Sequence, residues 1–132
     1  MAVLLIVDDD EAIRDALYEL FEEEHQCHLA GTAEEAMKWL DTEEYDVVLT
    51  DISMPGLSGV ELLAALRQHQ PKTPVIIITG VSDREHAEGL IKMGAFDYLA
   101  KPFRLEVVEK SVRRALGYRR ILLNEDIGMG KS

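Results

Sequence analysis

Five short apolar runs rich in β-branched residues occur along this 132-residue chain, and they limit the folds open to it. The runs occupy residues 3–7, 27–30, 47–50, 75–79 and 96–100. None alternates strictly between apolar and polar residues, which is typical of strands buried on both faces of a parallel sheet. After each run comes a segment whose apolar residues have helical spacing, such as Ile13, Leu17 and Leu20 in the first.

This order of a strand followed by a helix, repeated five times, predicts an α/β fold. Parallel strands need right-handed helical crossovers, and these cover both faces of the sheet. We therefore expect a three-layer (βα)5 doubly wound parallel sheet with the flavodoxin-like strand order 2-1-3-4-5.

The composition excludes several classes of protein. The chain holds 25 acidic and 14 basic residues, and its net charge of −11 disfavours direct binding to nucleic acid. Its apolar runs are far shorter than the ~20 residues of a membrane span, so we expect no membrane insertion. The single cysteine, Cys27, cannot form an internal disulfide, and this favours a cytoplasmic location.

Acidic residues stand where two of the predicted strands end. Asp8, Asp9 and Asp10 follow the first strand, and Asp51 follows the third. In the predicted strand order these strands are neighbours at the point where the order reverses, which is where such sheets bind ligands. Clustered carboxylates repel one another unless a cation compensates them, and Mg²⁺ prefers such oxygen ligands. Asp10 is explained more simply as the N-cap of the first helix.

Three segments together resemble the receiver domains of two-component response regulators. They are Leu-Leu-Ile-Val-Asp-Asp-Asp at 4–10, Asp-Val-Val-Leu-Thr-Asp-Ile-Ser-Met-Pro-Gly at 46–56 and Tyr-Leu-Ala-Lys-Pro-Phe at 98–103. The resemblance covers about residues 3–117. It implies that Asp51 accepts a phosphoryl group from a histidine kinase or phosphotransfer protein. It also implies a Mg²⁺ site formed by Asp8, Asp9, Asp51 and the backbone carbonyl of Ser53.

The same resemblance assigns the remaining site residues. Thr79, Gly80 and Lys101 would contact the phosphoryl group, and Thr79 and Tyr98 would form a switch. The Lys101–Pro102 peptide bond is expected to be cis, with Pro102 directing the lysine inward. The switch would alter the surface made by the fourth helix, the fifth strand and the fifth helix, and with it the affinity for partners or for a second copy.

Two other classes of function are alternatives. A metal-dependent phosphatase-like α/β enzyme would also use clustered acids, but the dehalogenase-like group places a second Asp two residues after its nucleophile, where this chain has Ser53. A pseudo-receiver that binds partners without phosphorylation typically lacks an acid, the acceptor or the lysine, and none is missing here. We therefore expect no enzyme activity beyond phosphorylation and dephosphorylation of the chain itself.

The last residues suggest a domain boundary. Gly117 favours a helix end, because glycine is common just past helix C-termini. We therefore predict a receiver domain over 1–118 and a linker or tail over 119–132 toward an output domain, with an extended last helix or a dimerising coil as alternatives. Residues 101–120 carry seven basic and two acidic side chains, which is compatible with a charge-complementary homodimer.

Overall fold

The computed structural model describes residues 1–52, 59–80 and 84–131, without the side chains of 59, 84 and 125–131. Within these ranges strands and helices alternate as the sequence predicts. The strands are β1 (Val3–Val7), β2 (Gln26–Ala30), β3 (Val47–Asp51), β4 (Val75–Thr79) and β5 (Asp97–Ala100). The helices are α1 (Glu11–Phe21), α2 (Ala33–Thr42), α3 (Gly59–His69), α4 (Arg84–Lys92) and α5 (Leu105–Lys131).

The five strands form one parallel sheet in the order β2-β1-β3-β4-β5, which confirms the predicted topology. In the register of β1 and β3, Val7 is paired with Thr50. The residues that follow them, Asp8 and Asp51, therefore reach the same edge of the sheet. Between β4 and β5, Thr79 is paired with Ala100, so Lys101 lies at this edge as well.

Each face of the sheet is covered by helices. Leu5 and Val7 face a core that also contains Leu40 of α2, Leu62 of α3 and Leu90 of α4. Leu4 and Ile6, which alternate with them on β1, face a second core formed with α1 and α5. Both cores are buried, and this confirms the three-layer arrangement.

Side chains cap the starts of α1 and α2. Asp10 Oδ1 accepts hydrogen bonds from the backbone N–H groups of Ala12 at 3.0 Å and Ile13 at 3.4 Å, as expected of an N-cap. Thr32 Oγ1 accepts a bond from the backbone N–H of Glu35 at 3.1 Å. The first cap fixes the start of α1 directly after the acidic residues.

Helix α5 does not end near Gly117, so the predicted break there is wrong. Glycine inside a helix costs only about 1 kcal/mol relative to alanine, and packing on both sides of it exceeds that cost. Ala115 is fully buried before it, and Arg119 is buried after it. Arg119 Nε donates to Asp46 Oδ1 at 2.7 Å, and its Nη2 donates to Glu44 Oε2 at 3.1 Å.

Among the described helices, α5 included, none is long and apolar enough to cross a membrane.

Candidate functional site

Three carboxylates meet beyond the carboxyl ends of β1 and β3. One oxygen from each of Asp8, Asp9 and Asp51 lies within 4.8 Å of the others. Asp8 is fully buried and Asp51 is 4% exposed, whereas Asp9 faces solvent. The cluster is therefore a pocket with one open side, as the strand order requires.

Lys101 extends from the end of β5 into this cluster. Its Nζ donates a hydrogen bond to Asp51 Oδ2 at 2.9 Å and lies 3.1 Å from Asp8 Oδ2. The backbone N–H of Lys101 donates to the carbonyl oxygen of Thr79 at 2.6 Å, and the Lys101–Pro102 peptide bond is cis. One ammonium group therefore faces two buried carboxylates.

Charge and burial oppose each other at this site. Burial raises the pKa of Asp8 above its ordinary value, and a hydrogen bond from the Asp10 backbone and the contact with Lys101 offset only part of this. Burial alone would lower the pKa of Lys101, but hydrogen bonds and attraction to Asp51 and Asp8 outweigh it and raise that pKa. The single lysine does not fully compensate the cluster.

The donor set fits a hard divalent cation. Asp8 Oδ2 is buried, and within the described part of the chain its contact with Lys101 Nζ at 3.1 Å is not joined by a hydrogen bond from any other group. All three side chains offer carboxylate oxygens, the ligands that Mg²⁺ prefers. Ser53, whose carbonyl is predicted to join them, lies outside the described residues.

The predicted switch residues Thr79 and Tyr98 lie on the neighbouring strands β4 and β5, and Gly80 and Lys101 directly follow these strands. Thr79 at the end of β4 is buried, and its hydroxyl donates to the carbonyl oxygen of Gly80 at 3.0 Å. Tyr98 on β5 is half-buried and packs against the core below α2, α3 and α4. Register places it beside Ile77, two residues before Thr79.

Sequence reasoning missed one contact of the acidic loop. Arg14 Nη1 donates to the carbonyl oxygen of Asp8 at 2.8 Å, while the backbone N–H of Asp10 donates to Asp8 Oδ1 at 2.9 Å. The only sequence signal for the arginine is its place in the first turn of the helix after the acids. That signal does not show which way the side chain points.

Comparisons with known proteins agree on one family. The sequence matches the family model described as the response regulator receiver domain over residues 4–113. The DNA-binding transcriptional regulator NtrC of Proteus hauseri is 38% identical over 116 residues, which are 87% of this chain and 24% of that protein. The C4-dicarboxylate transport transcriptional regulatory protein DctD of Pseudomonas aeruginosa is 40% identical over 128 residues, 91% of this chain and 26% of that protein.

A solved structure agrees with these relatives. The response regulator receiver domain protein from Clostridium thermocellum superposes with a TM-score of 0.87 at 30% identity, covering 92% of this chain and 99% of that one. The chain spans about a quarter of the length of the curated relatives named above. These findings support a receiver over the phosphatase-like and pseudo-receiver alternatives. The chain belongs to the response regulator receiver domains of two-component systems.

Proposed function

We propose that Asp51 accepts a phosphoryl group from a histidine kinase or a phosphotransfer protein. The observation that supports this most strongly is the contact of Asp51 with Lys101 at 2.9 Å, next to Asp8 and Asp9. A carboxylate is a competent nucleophile when it is held in line with phosphorus. Here Asp51 ends β3 at the carboxyl edge of the sheet, beside the solvent-exposed Asp9.

In the proposed reaction a carboxylate oxygen of Asp51 attacks the phosphorus of a phosphohistidine on the partner. The new O–P bond forms as the N–P bond breaks, and the electron pair passes to the imidazole nitrogen, which takes up a proton from water. Asp8, Asp9, Asp51 and the Ser53 carbonyl would hold Mg²⁺, which when bound neutralises charge on the phosphoryl oxygens. Lys101 would contribute a second positive charge next to Asp51.

The product state has a proposed readout through Thr79 and Tyr98. The Thr79 hydroxyl would leave the carbonyl of Gly80 and donate to a phosphoryl oxygen, which the backbone N–H of Gly80 would also contact. The Tyr98 ring would then turn inward and change the surface formed by α4, β5 and α5. That change would alter affinity for a partner or for a second copy of the chain.

We further propose that this chain acts within a larger regulator in the cytoplasm. Relatives such as NtrC and DctD are about four times as long as the segment they share with it, which supports an output domain in the same chain. Residues 1–118 would form the receiver and 119–132 the start of the connection. Direct binding to nucleic acid would then belong to the output domain, and the receiver would catalyse only its own phosphorylation and dephosphorylation.

Acetyl phosphate with Mg²⁺ tests the phosphoacceptor, with intact mass as the readout. The wild-type chain should gain one phosphoryl group, and Asp51→Asn should gain none. Asp41→Asn, which changes an exposed carboxylate of α2, serves as a matched control and should behave as the wild type. An adduct that survives Asp51→Asn would contradict the proposal, and release of many phosphates per chain from a generic ester would favour the phosphatase-like alternative.

A further inference from the structure

Hydrogen bonds hold the loop between β1 and α1 in place at Asp8 and at Asp10. Asp8 donates its backbone N–H to the carbonyl oxygen of Ala30 at 3.1 Å and accepts a bond from the Asp10 N–H. Asp10 caps α1 through its side chain, and its carbonyl oxygen accepts a bond from the Arg14 N–H at 3.0 Å. Asp9, the exposed member of the acidic cluster, is therefore placed by the main chain on either side of it.

One side chain holds the peptide unit that joins Asp8 to Asp9. Arg14 Nη1 donates to the carbonyl oxygen of Asp8 at 2.8 Å, a short distance that is typical of a charged donor. A net change in the backbone angles on either side of this peptide unit would move Asp9 relative to Asp8, and with them the two carboxylates. The bond from Arg14 therefore opposes a rotation that would spread the cluster.

The space for the guanidinium comes from Gly31, directly after β2. A Cβ atom on Gly31 would lie 3.0 Å from Arg14 Nη1 and 3.6 Å from Glu35 Oε1. Because Gly31 does not have a left-handed φ, alanine there is free of backbone strain. The absent side chain thus matters for the position of Arg14 and not for the turn itself.

We propose that Arg14 is a positioning residue of the metal site. Its guanidinium, seated in the space beside Gly31, holds the Asp8 carbonyl and so sets the course of the main chain that carries Asp9 into the acidic cluster. This inference rests on the proposed Mg²⁺ site. Groups that orient metal ligands without touching the metal commonly change metal affinity about 10- to 100-fold when they are removed. We expect Arg14→Ala to weaken Mg²⁺ binding about 10-fold.

A Mg²⁺ titration of the whole chain, followed by amide chemical shifts in NMR spectra, measures this directly. Wild type should saturate, and Asp9→Asn should lose most of the response. Arg14→Ala should bind more weakly, and Arg14→Lys should recover part of the affinity, because an ammonium group can donate to the same carbonyl. The exposed Arg113→Ala is the matched control and should bind as wild type.

Gly31→Ala tests the same claim without changing any charge. Its methyl group would displace the end of a flexible side chain, so the fold should persist while Mg²⁺ affinity falls. The control is Gly89→Ala in α4, where an added Cβ meets nothing within 4 Å. Folded Arg14→Ala and Gly31→Ala proteins with wild-type Mg²⁺ affinity would overturn the inference but leave the metal site standing. A wild type with no saturable response would overturn the metal site and the inference with it.

Discussion

Replacing Lys101 with methionine tests the electrostatic account of the site. The lysine Nζ lies 2.9 Å from Asp51 Oδ2 and 3.1 Å from Asp8 Oδ2, and both carboxylates are buried. Methionine fills similar space but carries no charge. Without divalent cations, Lys101→Met should therefore destabilise the fold, because two buried carboxylates lose their compensating cation.

The magnitude follows from the distances and the burial. At about 3 Å and an effective dielectric constant of about 20, each contact is worth about 5 kcal/mol before the cost of desolvation. Removing one member of a buried pair typically costs about 3–5 kcal/mol in total. Since the lysine side chain is 23% exposed, solvent screens part of this, and we expect a loss of about 3 kcal/mol. Mg²⁺ bound at the proposed site would compensate the same carboxylates and should reduce the loss to about 1 kcal/mol.

Urea unfolding followed by circular dichroism measures both values, once with a chelator and once with saturating Mg²⁺. For a slope of about 2 kcal/mol/M, the midpoint of Lys101→Met should fall by about 1.5 M with the chelator. Adding Asp8→Asn should recover part of the loss, because it removes the carboxylate whose pKa burial raises. Lys38→Met, at an exposed site on α2, should change little. A loss below about 1 kcal/mol with the chelator, or no effect of Mg²⁺, would contradict the electrostatic role of Lys101.

Three further predictions concern the body of the fold. Arg119→Ala should lower the free energy of unfolding by about 2 kcal/mol, because it removes a buried partner of Asp46. Thermal unfolding measures this against the exposed control Arg120→Ala, and equal stability of the two variants would contradict the prediction. Burial raises the pKa of the Cys27 thiol from 9.0 to about 11. At pH 8 the folded protein should therefore react with iodoacetamide about 100-fold more slowly than the urea-unfolded chain. Equal reaction rates, measured by mass spectrometry, would contradict this prediction. Gly94→Ala should lower the free energy of unfolding by about 1–2 kcal/mol, because Gly94 has a φ of +114°, where an alanine is strained. A Gly94→Ala protein as stable in urea as Gly89→Ala would argue against this strain.

The sequence predicted the fold well because buried parallel strands carry a local signal. Continuous β-branched runs located every strand to within a residue, and the strand order is the one most common for a five-stranded (βα)5 chain. The acidic site followed from that order, since Asp8 and Asp51 had to reach one edge. The helix end at Gly117 was predicted wrongly. The weak preference of glycine for helix ends is outweighed by the tertiary contacts that Arg119 makes further along the helix.

The side-chain contacts around the site had no comparable signal. Arg14 bonds to the carbonyl of Asp8, and Arg119 bonds to Asp46, a residue 73 positions away. Both are arginines on helices, where a solvated surface position is the ordinary expectation. Only the folded structure shows that Arg14 contacts the β1–α1 loop and that Arg119 contacts Asp46, directly before β3.

We propose that Asp51 carries the phosphoryl group in a cluster completed by Asp8, Asp9 and Lys101. Borohydride reduces an acyl phosphate of aspartate to homoserine, so the modified position can be read by peptide sequencing in a mass spectrometer. After phosphorylation with acetyl phosphate and Mg²⁺, we expect homoserine at position 51 alone. Homoserine at position 8 or 9, or an adduct that yields none, would contradict it.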